Sequence, residues 1–416
     1  MSDKIKIFTI GDHPLSPSGV GTQTKYIIEA MLKTGKYEFL SFGGAIKHPN
    51  HQPQQTEEWG KDWIIWPVDG YGNPEMVRAM IHQNKPDILW FMTDPRFYGW
   101  LWQIENEIRA NVPMVYYHVW DNYPYPNFNR SKYLSNDHVA CISKLTHDIL
   151  QNVAPETESS YIPHAVDSDI FKPMPPEEIT AHRQHRDLDD KFVCFWNNRN
   201  ARRKQSGTLI YWFKEFLDKV GHDKATLIMH TDVKDVHGQD LEVIIQELGL
   251  TNGEVLFSRA KVSPADLAMV YNMADLTINI SDAEGFGLAT LESLSTGTPI
   301  LVNMTGGLQD QVTDGENWFG IGLEPASKAI IGSQDVPYIY EDRLGKDQVV
   351  NALVELYELG AEGRTKLGVE GREWVKKQFN FETFAQRWDE LFMRIHNEMG
   401  SWDDRTGYNA YEVREF

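Results

Sequence analysis

Short runs of apolar residues recur along the chain and alternate with segments in which apolar residues are spaced three or four positions apart. Uninterrupted short runs are typical of parallel strands that are buried on both faces, and the three-to-four spacing is typical of amphipathic helices. The predicted strands are Ile5–Ile10, Ile88–Met92, Met114–Tyr117, Val193–Trp196, Ala225–His230, Leu276–Ile280 and Ile300–Asn303. The predicted helices include Thr24–Leu32, Gly207–Val220 and Leu241–Leu248. This alternation predicts an α/β fold built on parallel sheets.

The pattern of strands and helices begins again near residue 191, after a stretch rich in proline and charge between Lys172 and Lys191. Such a stretch is typical of a linker between domains. We therefore expect two Rossmann-like domains, at residues 1–172 and 191–380, which face a cleft. Residues 381–416 remain for a C-terminal helix, Phe381–Glu398, and for a polar and aromatic tail that we expect to be loosely attached.

The composition narrows the class of protein. Of the 416 residues, 41% are apolar and 24% are charged, which is typical of a folded globular protein and excludes a disordered or fibrous chain. No apolar run approaches the roughly 18 residues of a membrane-spanning helix, and the N-terminus does not resemble a signal peptide. The two cysteines, Cys141 and Cys194, are too few for a disulfide framework or a cysteine metal cluster. We therefore predict a cytoplasmic protein.

The segment Leu276–Pro299 is the richest in chemistry. It has the pattern of a strand, a glycine-rich turn, a helix and a second turn. Gly285 and Gly287 allow close approach of the backbone to a ligand, and the following helix offers free N–H groups and the positive end of its dipole to an anion. Glu284 precedes the turn, and Glu292 lies about 7–8 Å further along the helix, which is the distance from a diphosphate to a neighbouring ribose. For an isolated pair of glutamates, helix capping and solvent exposure would be the simpler interpretation.

The pattern Glu284–Glu292, written EGFGLATLE and followed by GTPI, resembles the signature of the group 1 retaining glycosyltransferases of the GT-B fold. Further landmarks of that family occur in order over most of the chain. They are Ser18–Gly21, His118, Ser143-Lys144, Ile162–Asp167, Arg199–Lys204, Thr305–Leu308 and Asp314-Gly315. The resemblance implies a nucleotide-sugar site in the second domain and a C-terminal helix that returns to the first domain.

The resemblance implies that the donor is held largely by the second domain. Glu292 would bind the ribose, Arg199 and Lys204 the diphosphate, and the backbone N–H groups of Gly287 and Leu288 the sugar or a phosphate. The two cations follow a strand, where they suit a diphosphate and would take the part that a metal ion plays in other transferases. We therefore expect no metal ion and no cofactor. A basic loop in solvent is the alternative interpretation of this run.

The predicted catalytic residues are Glu284, which would bind hydroxyls of the transferred sugar, and His118, which would lie near its reacting carbon. A packed structural histidine is the alternative for His118. In the glycine loop Ser18–Gly21 the resemblance implies a donor-binding role for Gly19 only, because Ser18 stands where the family often has glycine. Asn198 likewise replaces the glycine that usually precedes Arg199.

The resulting prediction is a retaining, metal-independent glycosyltransferase, a hexosyltransferase, that moves a sugar from a nucleotide-sugar donor to a hydroxyl of a glycan or another small or soluble acceptor. Two alternatives stay open: a glycosyltransferase that acts on modified bases in DNA, and a non-catalytic sugar-nucleotide-binding protein. The net charge of −20 disfavours the first, since a phosphate backbone is bound by basic surfaces. The sequence does not distinguish UDP from GDP or ADP, and it leaves the acceptor and the oligomeric state open.

Overall fold

The computed structural model describes residues 4–259 and 261–411, and the chain forms two compact units. The described part of the first unit comprises residues 4–165, 334–336 and 382–411; that of the second comprises the remaining residues from 166 to 381. The change of unit after Ala165 precedes the boundary expected at residue 172. The segment expected to be a linker folds as part of the second unit, where Arg183 forms an ion pair of 3.1 Å with Asp275.

In residues 4–165, eight strands form one sheet in the order β3-β4-β2-β1-β5-β6-β7-β8. The strands are β1 (Ile5–Asp12), β2 (Tyr37–Gly44), β3 (Gln54–Gln55), β4 (Trp63–Pro67), β5 (Ile88–Met92), β6 (Met114–His118), β7 (His138–Cys141) and β8 (Ser159–Tyr161). Neighbouring strands are parallel except for β3 with β4. The chain runs from β1 outward to β4 and returns to β5 beside β1, so the carboxyl ends of β1 and β5 flank the switch point where open sheets bind ligands.

The helices of this part of the chain follow or connect the strands. They are α1 (Gly19–Lys33), α2 (Pro74–Asn84), α3 (Gly99–Trp102), α4 (Glu105–Arg109), α5 (Arg130–Leu134) and α6 (Lys144–Val153). The first helix begins where the Ser18 hydroxyl accepts a hydrogen bond of 3.0 Å from the backbone N–H of Gly21, which caps the helix end.

A cluster of aromatic side chains lies in the core of the first unit. Trp90, Phe91 and Tyr116 are buried on adjacent strands, and the rings of Phe91 and Tyr116 stack at 5.1 Å. Tyr98 and Trp102 pack edge-to-face against Phe91. These side chains therefore stabilise the sheet and are not presented to a sugar ring.

The second unit is built on a parallel sheet whose described strands have the order β11-β10-β9-β12-β13-β14. These strands are β9 (Phe192–Asn197), β10 (Ala225–His230), β11 (Val255–Ser258), β12 (Leu276–Asn279), β13 (Ile300–Asn303) and β14 (Gly320–Leu323). A separate antiparallel pair is formed by β15 (Ser327–Ile331) and β16 (Ile339–Arg343). The return of the chain from β11 to β12 beside β9 creates a second switch point, at the carboxyl ends of β9 and β12.

Helices cover both faces of this sheet. They are α7 (Pro176–Gln184), α8 (Ser206–Val220), α9 (Leu241–Glu247), α10 (Pro264–Met273), α11 (Leu288–Ser295), α12 (Leu308–Val312), α13 (Lys346–Glu358) and α14 (Gly360–Gln378). On one face Leu209 and Phe213 of α8 and Leu353 of α13 share a buried core with β9 and β10. On the other face α10 packs against β9, and α11 packs against β12 and β13.

The C-terminal helix α15 (Phe381–Met399) packs on the first unit, as the family resemblance implied. Trp388 is fully buried with its ring edge-to-face on Tyr117, 4.9 Å away, and the Tyr37 hydroxyl donates to Asp389 at 2.7 Å. None of the helices within the described ranges combines the length and apolar composition that crossing a membrane requires.

The expectation of a loosely attached tail is wrong for residues 401–411. Arg405, whose side chain is 3% exposed, donates to Asp137 at 2.6 Å. The guanidinium of Arg109 lies 4.3 Å from the ring centroid of Tyr408. We expected loose attachment because the tail is polar, but its polar groups contact buried groups elsewhere in the first unit. The last part of the predicted tail, residues 412–416, lies outside the described residues.

Candidate functional site

The switch point of the second sheet brings together two loops that are far apart in sequence. The loop after β9 leads through a short 3₁₀ turn, Arg202–Lys204, into α8, and the loop after β12 leads through the turn at Gly285 into α11. The backbone N–H of Asp282 donates to the carbonyl of Arg203 at 2.8 Å, which joins the loops directly. This edge of the sheet therefore carries most of the residues that the sequence analysis selected.

Lys204 and Glu284 form a buried ion pair between these loops. Their side chains are 10% and 13% exposed, and the amide of Asn279 lies 3.4 Å from the same carboxylate oxygen. Burial by itself would raise the pKa of Glu284, but the charges of Lys204 and Arg203 outweigh it and hold that pKa below its usual value. Glu284 is therefore an ionised carboxylate inside the protein, with a cation in contact.

The turn that precedes α11 depends on two glycines, one in the turn itself and one in the loop between β13 and α12, which packs against it. Gly287 has φ of +90°, and a Cβ on it would lie 2.5 Å from a side-chain carbon of Leu308. A Cβ on Gly306 would overlap the carbonyl oxygen of Glu284. Gln311 fixes the turn by donating to the carbonyl of Phe286 at 2.7 Å. Leu288 is thus placed as the first residue of α11, where backbone N–H groups have no acceptor within the helix.

Glu292 lies one turn further along α11 and is joined to α10. The hydroxyl of Tyr271 donates to its carboxylate at 2.8 Å. Burial raises the pKa of Glu292 to about 7, and the hydrogen bond from Tyr271 acts in the opposite direction. Unlike Glu284, Glu292 therefore changes its charge close to neutral pH.

Arg199 follows β9 but has a partner of its own. Its guanidinium binds both oxygens of Asp235, at 2.6 and 3.1 Å, while its side chain is 61% exposed. Arg202 binds Glu341 of β16 through two nitrogen atoms, and Arg203 donates to the carbonyl of Ala283. Acidic or carbonyl groups of the second unit therefore bind the members of the basic run, while the side chains of Arg199 and Arg202 stay more than half exposed.

Two predicted site residues lie in the first unit. Gly19 is exposed and is the first residue of α1, close to the switch point of the first sheet. His118 is fully buried at the end of β6, with Nε2 2.9 Å from the Tyr133 hydroxyl and Nδ1 3.8 Å from the Cys141 sulfur. Burial lowers the pKa of His118 to about 3, so the ring is neutral. The structure thus packs this imidazole as a core residue, and its predicted catalytic role stays a prediction.

The structure therefore brings Lys204, Glu284, Gly287 and Leu288 together, with Glu292 further along the same helix. Sequence reasoning missed Tyr271, Gln311 and the carboxylates that bind the basic run, because each contact joins distant parts of the chain. Among the described residues no group of three or more histidine, cysteine, aspartate or glutamate side chains is placed to hold a metal ion.

The two parallel sheets with their helices define the class of the protein as the GT-B fold of glycosyltransferases, as predicted. Sucrose-phosphate synthase from Thermosynechococcus elongatus superposes with a TM-score of 0.75 over 95% of this chain and 100% of that one, at 17% identity. HepE from Anabaena, solved in complex with UDP and glucose, gives a TM-score of 0.69 over 94% and 100% of the two chains, at 15% identity. At such identities the likeness shows the fold alone.

Residues 178–330, in the second unit, match the sequence model of the glycosyl transferases group 1. The D-inositol 3-phosphate glycosyltransferase of Acidothermus cellulolyticus is 37% identical over 174 residues, which are 40% of this chain and 38% of that protein. The GDP-mannose-dependent alpha-(1-6)-phosphatidylinositol monomannoside mannosyltransferase of Mycobacterium tuberculosis is 25% identical over 243 residues, 56% and 55% of the two chains. The matches thus span only part of each relative. The resemblance to group 1 glycosyltransferases is confirmed, and the relatives are named as glycosyltransferases, the class of enzyme that was predicted.

Proposed function

We propose that the protein is a retaining glycosyltransferase that moves a sugar from a nucleoside-diphosphate sugar to a hydroxyl acceptor without a metal ion. The observation that carries the proposal is the meeting of Lys204, Glu284 and the amino end of α11 at the switch point of the second sheet. A cation and free N–H groups suit a diphosphate, and an ionised carboxylate suits sugar hydroxyls. These are the chemical groups of a nucleotide sugar.

The proposed donor extends along α11. The diphosphate lies at the N–H groups of Gly287 and Leu288, with Arg199 and Lys204 as its cations, and the ribose hydroxyls bind Glu292. The nucleotide base binds near the carboxyl ends of β10 and β11, where Nδ1 of His230 lies 2.9 Å from the hydroxyl of Ser258. HepE was solved with UDP and glucose, and the mannosyltransferase relative is named as GDP-mannose-dependent, which makes UDP- and GDP-sugars the first donors to test.

In the proposed reaction the bond between the sugar C1 and the phosphate oxygen breaks, and the acceptor oxygen forms a bond to C1 on the same face of the sugar. The acceptor proton passes to the leaving phosphate oxygen, which balances the reaction without a protein nucleophile. Lys204 and Arg199 stabilise the charge that develops on the leaving diphosphate. Glu284 binds the sugar, and its negative charge favours the positive charge that develops at C1. The acceptor is the hydroxyl of a glycan or another small molecule, bound with residues of the first unit.

Donor binding is tested first by thermal denaturation of the protein with UDP, GDP, ADP, CDP and dTDP, each with and without EDTA. A ligand at 100 times its Kd stabilises the folded protein by about 2.7 kcal/mol, which raises the midpoint visibly. We expect one diphosphate to act, equally with and without EDTA. Stabilisation that EDTA abolishes would contradict the metal-free site, and no response to any diphosphate would contradict the donor site.

Transfer is tested with the sugar nucleotide of the diphosphate that binds and a panel of hydroxyl acceptors, with NMR of the product to give its anomeric configuration. We expect the donor configuration to be retained, and turnover to be lost in Glu284→Gln. The matched control is Glu247→Gln, a change of the same type at an exposed residue of α9, which should leave turnover unchanged. An inverted product would contradict the retaining mechanism, and donor binding without transfer or hydrolysis would favour the non-catalytic alternative.

A further inference from the structure

Tyr271 stands out because its buried hydroxyl faces a group proposed to bind the donor. The side chain is fully buried in α10, and its hydroxyl lies 2.8 Å from the carboxylate of Glu292. The backbone is fixed as well, since the hydroxyl of Thr298 donates to the carbonyl of Tyr271 at 2.9 Å. A tyrosine held in this way has no freedom to follow the carboxylate if Glu292 moves.

The direction of the hydrogen bonds is set by a third residue. Asn197, the last residue of β9, donates its side-chain N–H to the hydroxyl oxygen of Tyr271 at 2.9 Å. Because that oxygen accepts from Asn197, its own proton is directed to Glu292. The ring of Tyr271 is held edge-to-face by Phe195, 4.9 Å away, and by Phe171, 6.0 Å away. The relay therefore runs from β9 through α10 to α11 along one fixed path.

We propose that Tyr271 is a positioning residue, which engages one oxygen of Glu292 and so holds the carboxylate in the orientation that receives the ribose hydroxyls of the donor. The inference rests on the proposed function, because it needs a nucleotide at Glu292. It adds a residue that touches no donor atom and acts through Glu292 alone. Asn197 supports Tyr271 in the same way.

The titration of Glu292 makes the inference testable through its pH dependence. Burial raises the pKa of this carboxyl to about 7, and the Tyr271 hydroxyl lowers it because it stabilises the ionised form. Among the charged groups on the helices packed against α11, Arg372 of α14 binds the carbonyl of Ser295, and Asp310 of α12 is buried. Loss of the tyrosine hydroxyl should therefore shift the titration of Glu292 to higher pH.

The experiment compares wild type with Tyr271→Phe, which removes the hydroxyl and keeps the ring. At pH 7 we expect the donor KM, and the Kd of the diphosphate measured by calorimetry, to rise about tenfold, the size of a lost hydrogen bond to a charged group, with kcat within about twofold. The defect should shrink by pH 9, where Glu292 is ionised with or without the hydroxyl. Tyr211→Phe, at an exposed tyrosine of α8, is the control and should bind as wild type does.

The outcomes separate this inference from the proposed function. Wild-type protein that binds no diphosphate at any pH would overturn the donor site itself. Wild-type binding with an unchanged Kd in Tyr271→Phe would overturn only the role of Tyr271, and so would a defect of equal size at pH 7 and pH 9, because that would reflect packing. In a Glu292→Gln background the Tyr271→Phe change should have little further effect on Kd. Additive losses in that double variant would also overturn the inference.

Discussion

Replacing Glu284 with glutamine should destabilise the second unit, because it removes the carboxylate that forms an ion pair with Lys204 in the interior. The two side chains are only 10% and 13% exposed, so water cannot replace the lost carboxylate. Removal of one member of a buried ion pair costs about 3–5 kcal/mol. We expect a value near the lower end, about 3 kcal/mol, because the glutamine oxygen still accepts a hydrogen bond. For a unit of this size that corresponds to a fall of about 6–12 °C in the unfolding midpoint.

The measurement is thermal unfolding of Glu284→Gln, Lys204→Met and the double variant, followed by circular dichroism and calorimetry. Each single variant should unfold earlier than wild type, and the double variant should recover part of the loss because the cation and the carboxylate of the pair are then removed together. The control is Asp218→Asn, which breaks an ion pair of 2.7 Å with Lys214 on the exposed side of α8 and should shift the midpoint little. A midpoint for Glu284→Gln within about 1 °C of wild type would refute the reasoning.

Three further predictions concern other residues. The donor affinity should fall as the pH drops through 7, by up to about tenfold per pH unit. Ribose hydroxyls bind the ionised form of Glu292, and the pKa of this carboxyl is raised to about 7. A profile of donor KM against pH checks this, and Glu292→Gln should flatten the profile. Asp235→Asn should tighten diphosphate binding by up to about threefold, since it releases the exposed Arg199; weaker binding by calorimetry would mean that Asp235 orients the arginine for the ligand. Arg405→Met should destabilise the first unit by about 2 kcal/mol, because Asp137 loses one of two buried cations; unfolding curves measure the loss, and turnover at 25 °C should not change.

The strands that the sequence predicted are the ones whose side chains are buried on both faces. Ile88–Met92, Ala225–His230 and Ile300–Asn303 have the bounds expected from their apolar runs. The strand Tyr37–Gly44 was missed because serine and glycine interrupt its apolar residues, although the fold buries nearly all of it. The pair β15 and β16 was missed for a different reason: most of its side chains are exposed or half-buried, so no apolar pattern marks it.

The residues of the site also differ in how far the local sequence could predict them. Glu284, Gly287, Leu288 and Glu292 belong to one turn and one helix, so their spacing in the sequence already reports their spacing in space. The partners of these residues lie far from them in the sequence, so local spacing does not report those contacts. Tyr271 is 21 residues from Glu292, and Glu341 is 139 residues from Arg202, so those contacts depend on which strands become neighbours. The buried state of His118 is of the same kind, because it depends on Tyr133 and on β7 beside it.

The pairing of the basic run bears on how an acidic protein would present cations to the proposed diphosphate. Arg199, Arg202 and Lys204 each contact a carboxylate of the same unit. The members differ in what a ligand must displace: the Arg199 pair is largely exposed and costs little to open, whereas the Lys204 pair is buried and costs much more. We infer that Arg199 leaves Asp235 when the diphosphate binds, whereas Lys204 acts on the diphosphate without leaving Glu284. One cation then adapts to the ligand, and the other also keeps the sugar-binding carboxylate ionised.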